Sequence, residues 1–318
     1  MKQILHPLWR CGLLLIVSLC NHLPSFSQTE SSSFFEAGIT VGPSNFLGDL
    51  GGNVGKGTKG LKDNNFPMTK FMFGAFLTYQ PNEWLGFRLA INRGTLEGDD
   101  AIIKGKGGFE EARKYRNSDF RSRITEAMLL AEIYPTVFLE NDPSDVFMRL
   151  RPYLAFGVGV FHFNPQGTDP LSGAWVDLKA LHTEGQGFTE FPGRKEYKLT
   201  QLNVPIGIGA KYFLSEKVNI GLEILHRTTF TDYIDDVSTT YIDPSAFYAH
   251  LPFAQAQLAE RMANKSGNNG ASTPYTVGSK RGTATNNDAY YSINIKLGIR
   301  LGQGGNRWNS STRCPVNF

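Results

Sequence analysis

The densest group of side chains able to do chemistry is TDYIDDVSTTYID, residues 231–243. It holds Asp232, Asp235, Asp236 and Asp243, with Tyr233 and Tyr241 among them. Hard cations take several oxygen ligands, so carboxylates this close together raise calcium. The spacing lacks the alternating acids and the glycine of a calcium loop. The preferred reading is a loop ordered by hydrogen bonds, with no metal. His226 and Ser238 also lie near one another in sequence. Nucleophilic catalysis needs hydroxyl, base and orienting group in mutual reach. Strand parity puts His226 on the lipid side, and no nucleophile motif surrounds Ser238. His162 reads the same way, as a rim histidine without catalysis. The glycines of GDLGGNVGKG, residues 48–57, lack the lysine-hydroxyl ending of a phosphate loop and follow no parallel βα pattern. The sequence therefore predicts no catalytic residue, no cofactor and no enzyme.

The elements that must position these residues are strands. In Leu199–Phe230, Leu202, Val204, Ile206, Ile208, Ala210 and Tyr212 share one parity, against Gln201, Asn203, Gly207, Gly209 and Lys211. After Ser215-Glu216-Lys217, Val218, Ile220, Leu222 and Ile224 oppose Asn219, Gly221, Glu223 and Arg227. A period of two is a strand signal, and the three-residue break suits a hairpin. The same pattern predicts strands over Phe34–Val41, Lys70–Tyr79, Trp84–Thr95, Arg123–Leu139, Val146–Phe163 and Ala289–Leu301. The Phe-rich second strand gives no clear face. Short helices are expected near Phe109–Tyr115 and Ala254–Ala263. Connections alternate between short turns and the long segments 42–68, 96–122, 164–198 and 231–288.

The N-terminus reads as a secretory signal. Lys2 and Arg10 precede the apolar run Cys11 to Cys20, and Ser25-Phe26-Ser27 suits a cut before Gln28. That run is too short to span a bilayer. Val17-Ser18-Leu19-Cys20 approaches a lipobox, but Leu19 is large for the position before a lipidated cysteine. Cleavage after residue 27 would leave Cys314 as the one cysteine, so no intramolecular disulfide is expected. The formal net charge of +3 gives no footprint for nucleic acid.

An exported chain without a transmembrane helix can enter a membrane only as a closed barrel. Even strand number with alternating short and long connections is the outer-membrane pattern. The second parity carries Gly, Asn, Thr and charges, which is too polar for the core of a soluble sandwich or lipocalin-like barrel. The expected fold is all-β: an eight-stranded antiparallel up-and-down transmembrane β-barrel with long external loops, located in the outer membrane and surrounded by its lipid. Residues 1–27 are the expected signal peptide, 28–302 the barrel and 303–318 a periplasmic tail. An interior this narrow holds side chains and no wide channel. Glu36, Arg88, Glu126, Glu132, Lys211, Glu223, Arg227, Lys296 and Arg300 are expected to neutralise one another there. Tyr79, Trp84 and Tyr212 at one rim, and Phe163, Phe230 and Tyr291 at the other, are the expected aromatic girdles.

Three segments carry a family resemblance: SNFLGDLGGN (44–53), TTFTDYIDDVSTTYID (228–243) and RGTATNNDAYYSINIKLGIRLG (281–302). Together they resemble the PorG-like outer-membrane proteins of the type IX secretion system. The resemblance implies a barrel tied to a periplasmic ring made of a PorK-like lipoprotein and a PorN-like partner. It implies no catalytic residue. A binding or adhesion role through the external loops is the alternative.

Overall fold

The computed structural model describes residues 33–51, 66–104, 106–108, 110–139, 146–266 and 274–301. The expected signal peptide and tail lie outside the described residues. In chain order the strands are β1 (Phe34–Leu47), β2 (Lys70–Asn82), β3 (Leu85–Asp99), β4 (Asp119–Ile133), β5 (Leu150–His162), β6 (Pro165–Thr168), β7 (Trp175–Asp177), β8 (Thr200–Phe213), β9 (Val218–Thr229) and β10 (Ala289–Leu301). All strands except β6 and β7 form a closed eight-stranded antiparallel up-and-down barrel, with β3 paired to β4 and β10 to β1. β6 and β7 form a small hairpin attached to β4 at Arg121↔Gln166.

Alternation along each strand decides which face points where. Leu89, Leu129 and Val158 lie directly opposite one another across β3, β4 and β5, as do Ile208, Ile224 and Ile293 across β8, β9 and β10. Leu129 is 55% exposed and Val158 62%, whereas Glu132 is fully buried and Lys296 is 1% exposed. Leaving apolar surface in water costs about 25 cal/mol per Å². A continuous outward band of it requires hydrocarbon around the wall. Among the described residues no helix is long and apolar enough to cross a membrane; the strands do the spanning.

Several expected boundaries shift. β1 runs on to Leu47, through Gly42 and Pro43, because β10 continues to pair with it as far as Leu47↔Ala289. β3 extends to Asp99 and β4 starts at Asp119, paired end to end. The fourth strand stops at Ile133, and Pro135–Leu139 forms a 3-10 turn. The fifth begins at Leu150, after a one-turn helix. The helices are α1 (Glu110–Arg116), α2 (Val146–Arg149), α3 (Ser245–His250) and α4 (Phe253–Ala263). α1 and α4 fall where the sequence puts them; α3 and the β6–β7 hairpin have no counterpart in the sequence reading.

Two girdle expectations are corrected. Tyr79, Trp84, Tyr212 and Phe230 are exposed on the wall. Phe163 is fully buried, stacked between Phe161 and Tyr197 at centroid distances of 5.5 and 6.1 Å. It follows the end of β5, so its side chain turns in under the loops and away from lipid. Tyr291 keeps its outward parity but is buried with Leu47 and Ala289, and the Asn45 amide donates to its hydroxyl at 3.3 Å.

The long connections fold into a cap. Phe46, Leu50, Phe120, Phe161, Phe163, Ile234, Val237 and Tyr290 form an apolar layer in the barrel mouth. A second core joins Leu178, Leu181 and Phe188 to Phe247 on α3 and Ala256, Ala259 and Met262 on α4.

Candidate functional site

The lumen is filled by ion pairs. The Arg88 guanidinium on β3 lies 2.9 Å from Glu132 and 2.6 Å from Glu223. The Lys211 ammonium lies 3.1 Å from Glu36 and 3.3 Å from Glu132. The Lys296 ammonium reaches Glu132 at 3.1 Å and Glu223 at 3.5 Å. Tyr134 donates to Glu132, and Tyr153 to Glu223 at 2.9 Å. Nearer the mouth, Arg227 lies 2.7 Å from Glu126, which also accepts from Asn92 at 2.8 Å and Tyr290 at 2.7 Å. Buried charges require such partners. All the expected interior residues face inward; Arg300, also buried on the inner parity of β10, sits 3.7 Å over the Phe34 ring. Small residues make the room: a Cβ on Gly209 would collide with the Tyr153 ring. Parity puts the tyrosines and the asparagines Asn92, Asn203 and Asn219 on the polar face, but uncharged polar residues carry no pairing signal that would name their partners.

The loop motif lies inside the cap. Asp235, Asp236 and Ile234 are fully buried, and Tyr233 stacks on Tyr197 at 4.7 Å. Asp235 accepts main-chain hydrogen bonds from Leu50 at 3.0 Å and Val237 at 2.9 Å, which joins two loops. Asp236 accepts from Tyr197 at 2.7 Å and from Thr183 at 2.5 Å. Burial pushes the Asp236 carboxyl up to about 6, against the pull of Arg281. Tyr241 is buried and stacks on Tyr275 at 5.4 Å. Hydrogen bonds thus tie this loop to its neighbours.

Around the motif runs a network the sequence did not disclose. Arg281 lies 2.8 Å from Glu184 and donates to the Asp236 carbonyl at 2.5 Å. Glu184 accepts from the Ser238 and Thr239 amides, both at 2.9 Å. Arg116 of α1 binds Asp100 at 2.7 Å and donates to the carbonyls of Asp49 and Arg281, both at 2.6 Å. Partners this far apart in sequence leave no local pattern to read. His226 stays half-buried on the outer parity of β9, while Ser238 is buried in the cap. The two are not brought together as a catalytic pair. His162 bonds Thr200 at 3.1 Å.

An apolar wall around an ion-paired interior, with long connections at one end, defines a small outer-membrane β-barrel. Residues 13–252 match the outer membrane protein beta-barrel domain, and the chain belongs to that family. The protein resides in the outer membrane. Among solved structures it is similar to Ail, the attachment invasion locus protein of Yersinia pestis (7% identity, 84% of this chain and 99% of that chain, TM-score 0.36). It is similar to a major outer membrane protein from Thermus thermophilus (12% identity, 84% and 99%, TM-score 0.36). It is also similar to Neisserial surface protein A (9% identity, 85% and 98%, TM-score 0.34). No curated protein sequence matches the chain.

Proposed function

We propose that the protein is a non-conducting component of the type IX secretion machinery that anchors a periplasmic ring to the outer membrane. The observation that carries this reading is the closed lumen. Ion pairs fill the barrel and an apolar layer covers its mouth, so the rims are left as working surfaces. The three resembling segments supply the partner class, a PorK-like lipoprotein with a PorN-like protein. The short-turn rim faces the periplasm in barrels of this class. It carries Trp84 and Phe138 with centroids 6.2 Å apart, and exposed Leu139 and Val146. We assign ring contact to this rim, and no enzymatic role to any residue.

A clean deletion tests the role. It should abolish export of type IX cargo, and a photo-crosslinker at Phe138 should capture the ring lipoprotein in native membranes. Normal export in the deletion strain would sink this reading. It would favour a second one, in which the folded cap binds an external ligand through the exposed Tyr248 and Phe253 rings, 5.8 Å apart.

A further inference from the structure

The outer wall of β3 and β4 changes character toward the long loops. Its lower outward side chains are Phe87, Leu89, Ile91 and Leu129. Above them stand Arg93 and Arg123, both exposed. Register fixes their places: Arg93 lies opposite Thr125 and Arg123 opposite Thr95, so the two arginines are diagonal neighbours on one face. Diagonal neighbours stand about 7 Å apart, within reach of one shared anion. Arg121, the next outward residue of β4, donates to Gln166 at 2.9 Å and lies 4.2 Å over the Trp175 ring. By parity these are the outward cations of the eight barrel strands; among the described residues no other outward wall position holds arginine or lysine.

Height puts the arginines at the edge of the hydrocarbon. A strand rises about 3.4 Å per residue and tilts about 40° in such barrels, a gain of about 2.6 Å per residue along the axis. Leu85 and Ile133, paired at the short-turn end, mark the lower edge of the wall. Arg93 then stands about 20 Å above that edge and Arg123 about 26 Å, against an apolar band about 25 Å tall. Guanidinium groups at this level lie beside lipid headgroups, with their stems along the wall. Among the described residues neither Arg93 nor Arg123 has a hydrogen bond or an ion pair. The next outward acid up the wall, Glu97, is held by Lys70 at 2.8 Å, and Asp119 is held by Lys265. Two neighbouring cations facing lipid repel one another unless an anion lies between them.

We propose that Arg93 and Arg123 bind the headgroup phosphate of an outer-leaflet lipid, with Arg121 as a further contact above them. Guanidinium forks match phosphate oxygens bidentately. Thr125 and His162, direct partners across β4 and β5, flank the site. The His162 Nδ1 is engaged with Thr200 at 3.1 Å, which leaves Nε2 for the headgroup. Ile91 and Leu129, exposed just below, receive the acyl chains of the same molecule. The ligand is therefore an amphiphile with a phosphorylated headgroup and not a soluble anion. It is held on the sector of β3 and β4, while the rest of the wall, without outward cations, faces bulk lipid. The site lies outside the filled lumen and away from the short-turn rim, so it stands apart from any role in a periplasmic ring.

The test uses the full mature chain folded in detergent micelles. Diphosphoryl lipid A, its dephosphorylated form and phosphatidylcholine are offered in equal amounts, and retained lipid is counted by native mass spectrometry. Inorganic pyrophosphate serves as the soluble competitor. Preferential retention of diphosphoryl lipid A, undisturbed by an equal concentration of pyrophosphate, is expected. Arg93→Gln and Arg123→Gln should each weaken retention about fivefold, the worth of one basic residue at an anionic surface, and the double variant about 25-fold. All three variants should keep the heat-dependent gel shift, since exposed side chains without protein partners contribute little to the fold. Lys217→Gln removes the same charge from the exposed turn between β8 and β9 and should leave retention unchanged. Equal retention by the parent and the double variant overturns the proposal, as does equal retention of phosphorylated and dephosphorylated lipid A. Displacement by pyrophosphate would assign the arginines to a soluble anion and overturn it too. So would a loss with Lys217→Gln equal to that of the arginine variants, which would mean net charge alone retains the lipid.

Discussion

The Arg88 guanidinium on β3 meets the Glu223 carboxylate on β9 at 2.6 Å, and these strands lie diametrically opposite in the eight-stranded barrel. The pair is a brace across the lumen. Arg88→Met leaves Glu223 with Lys296 and the Tyr153 hydroxyl, and Glu132 with two lysines. Removing one partner of a buried pair costs about 3–5 kcal/mol. Urea unfolding in phospholipid vesicles should show a loss of that order for Arg88→Met and for Glu223→Leu. The double variant should recover a large part of it. Additive losses in the double variant would mean that the two residues do not act together.

The same packing predicts electrical silence. Tyr134, Tyr153, Lys211 and Lys296 are each buried within the lumen, and the apolar layer covers them from above. Eight strands leave space for side chains and little else. Planar bilayers holding the purified protein should show no regular current steps. Discrete unitary steps that scale with protein amount would contradict a plugged lumen.

The wall was legible in the sequence because two different solvents act on it. Lipid outside and ion pairs inside impose opposite chemistry on alternate residues, so Leu222 and Glu223 declare their faces without any structure. Legibility failed where that contrast ends. Thr136 and Val137 keep the alternation after Ile133 although the chain has entered a turn. Phe163 looks like a girdle residue because an aromatic under a cap and one in lipid are the same residue type. The charge pairs of the lumen could be listed by parity, since opposite signs must meet in a closed barrel. The cap network could not, because Arg281 and Glu184 sit in different loops and neither follows a period.

The cap should unfold separately from the wall. Phe247 is 1% exposed and packs on Phe188 at 6.3 Å, within the core that α3 and α4 form with the loop after β5. Phe247→Ala costs about 3–5 kcal/mol as a buried aromatic deletion. None of the barrel pairings involves this core. The variant should keep the heat-dependent gel shift of a folded barrel and become sensitive to protease between residues 163–199 and 230–288. A variant that loses the gel shift as well would show that cap and wall fold as one unit.

Asp236 gives the cap a pH dependence of definite sign. Its carboxyl is raised to about 6, with burial as the main cause and Arg281, Thr183 and Tyr197 opposing it. A raised folded pKa means that the native cap holds the proton more tightly than the unfolded chain, whose aspartate titrates near pH 3.9. The resulting stability is fully present below that value and is lost as pH rises through about 6. Asp232, raised to about 9, loses stability over the same rise and on towards pH 9, so the share of Asp236 is read from the part of the slope below about pH 6 that its substitution removes. Cap protease half-lives should therefore shorten between about pH 4 and pH 7. Asp236→Asn should reduce that slope below about pH 6 while lowering the plateau, because one of the Tyr197 and Thr183 hydroxyls loses its carboxylate acceptor. A half-life that lengthens across the same interval would show that Asp236 is ionised throughout and held by Arg281.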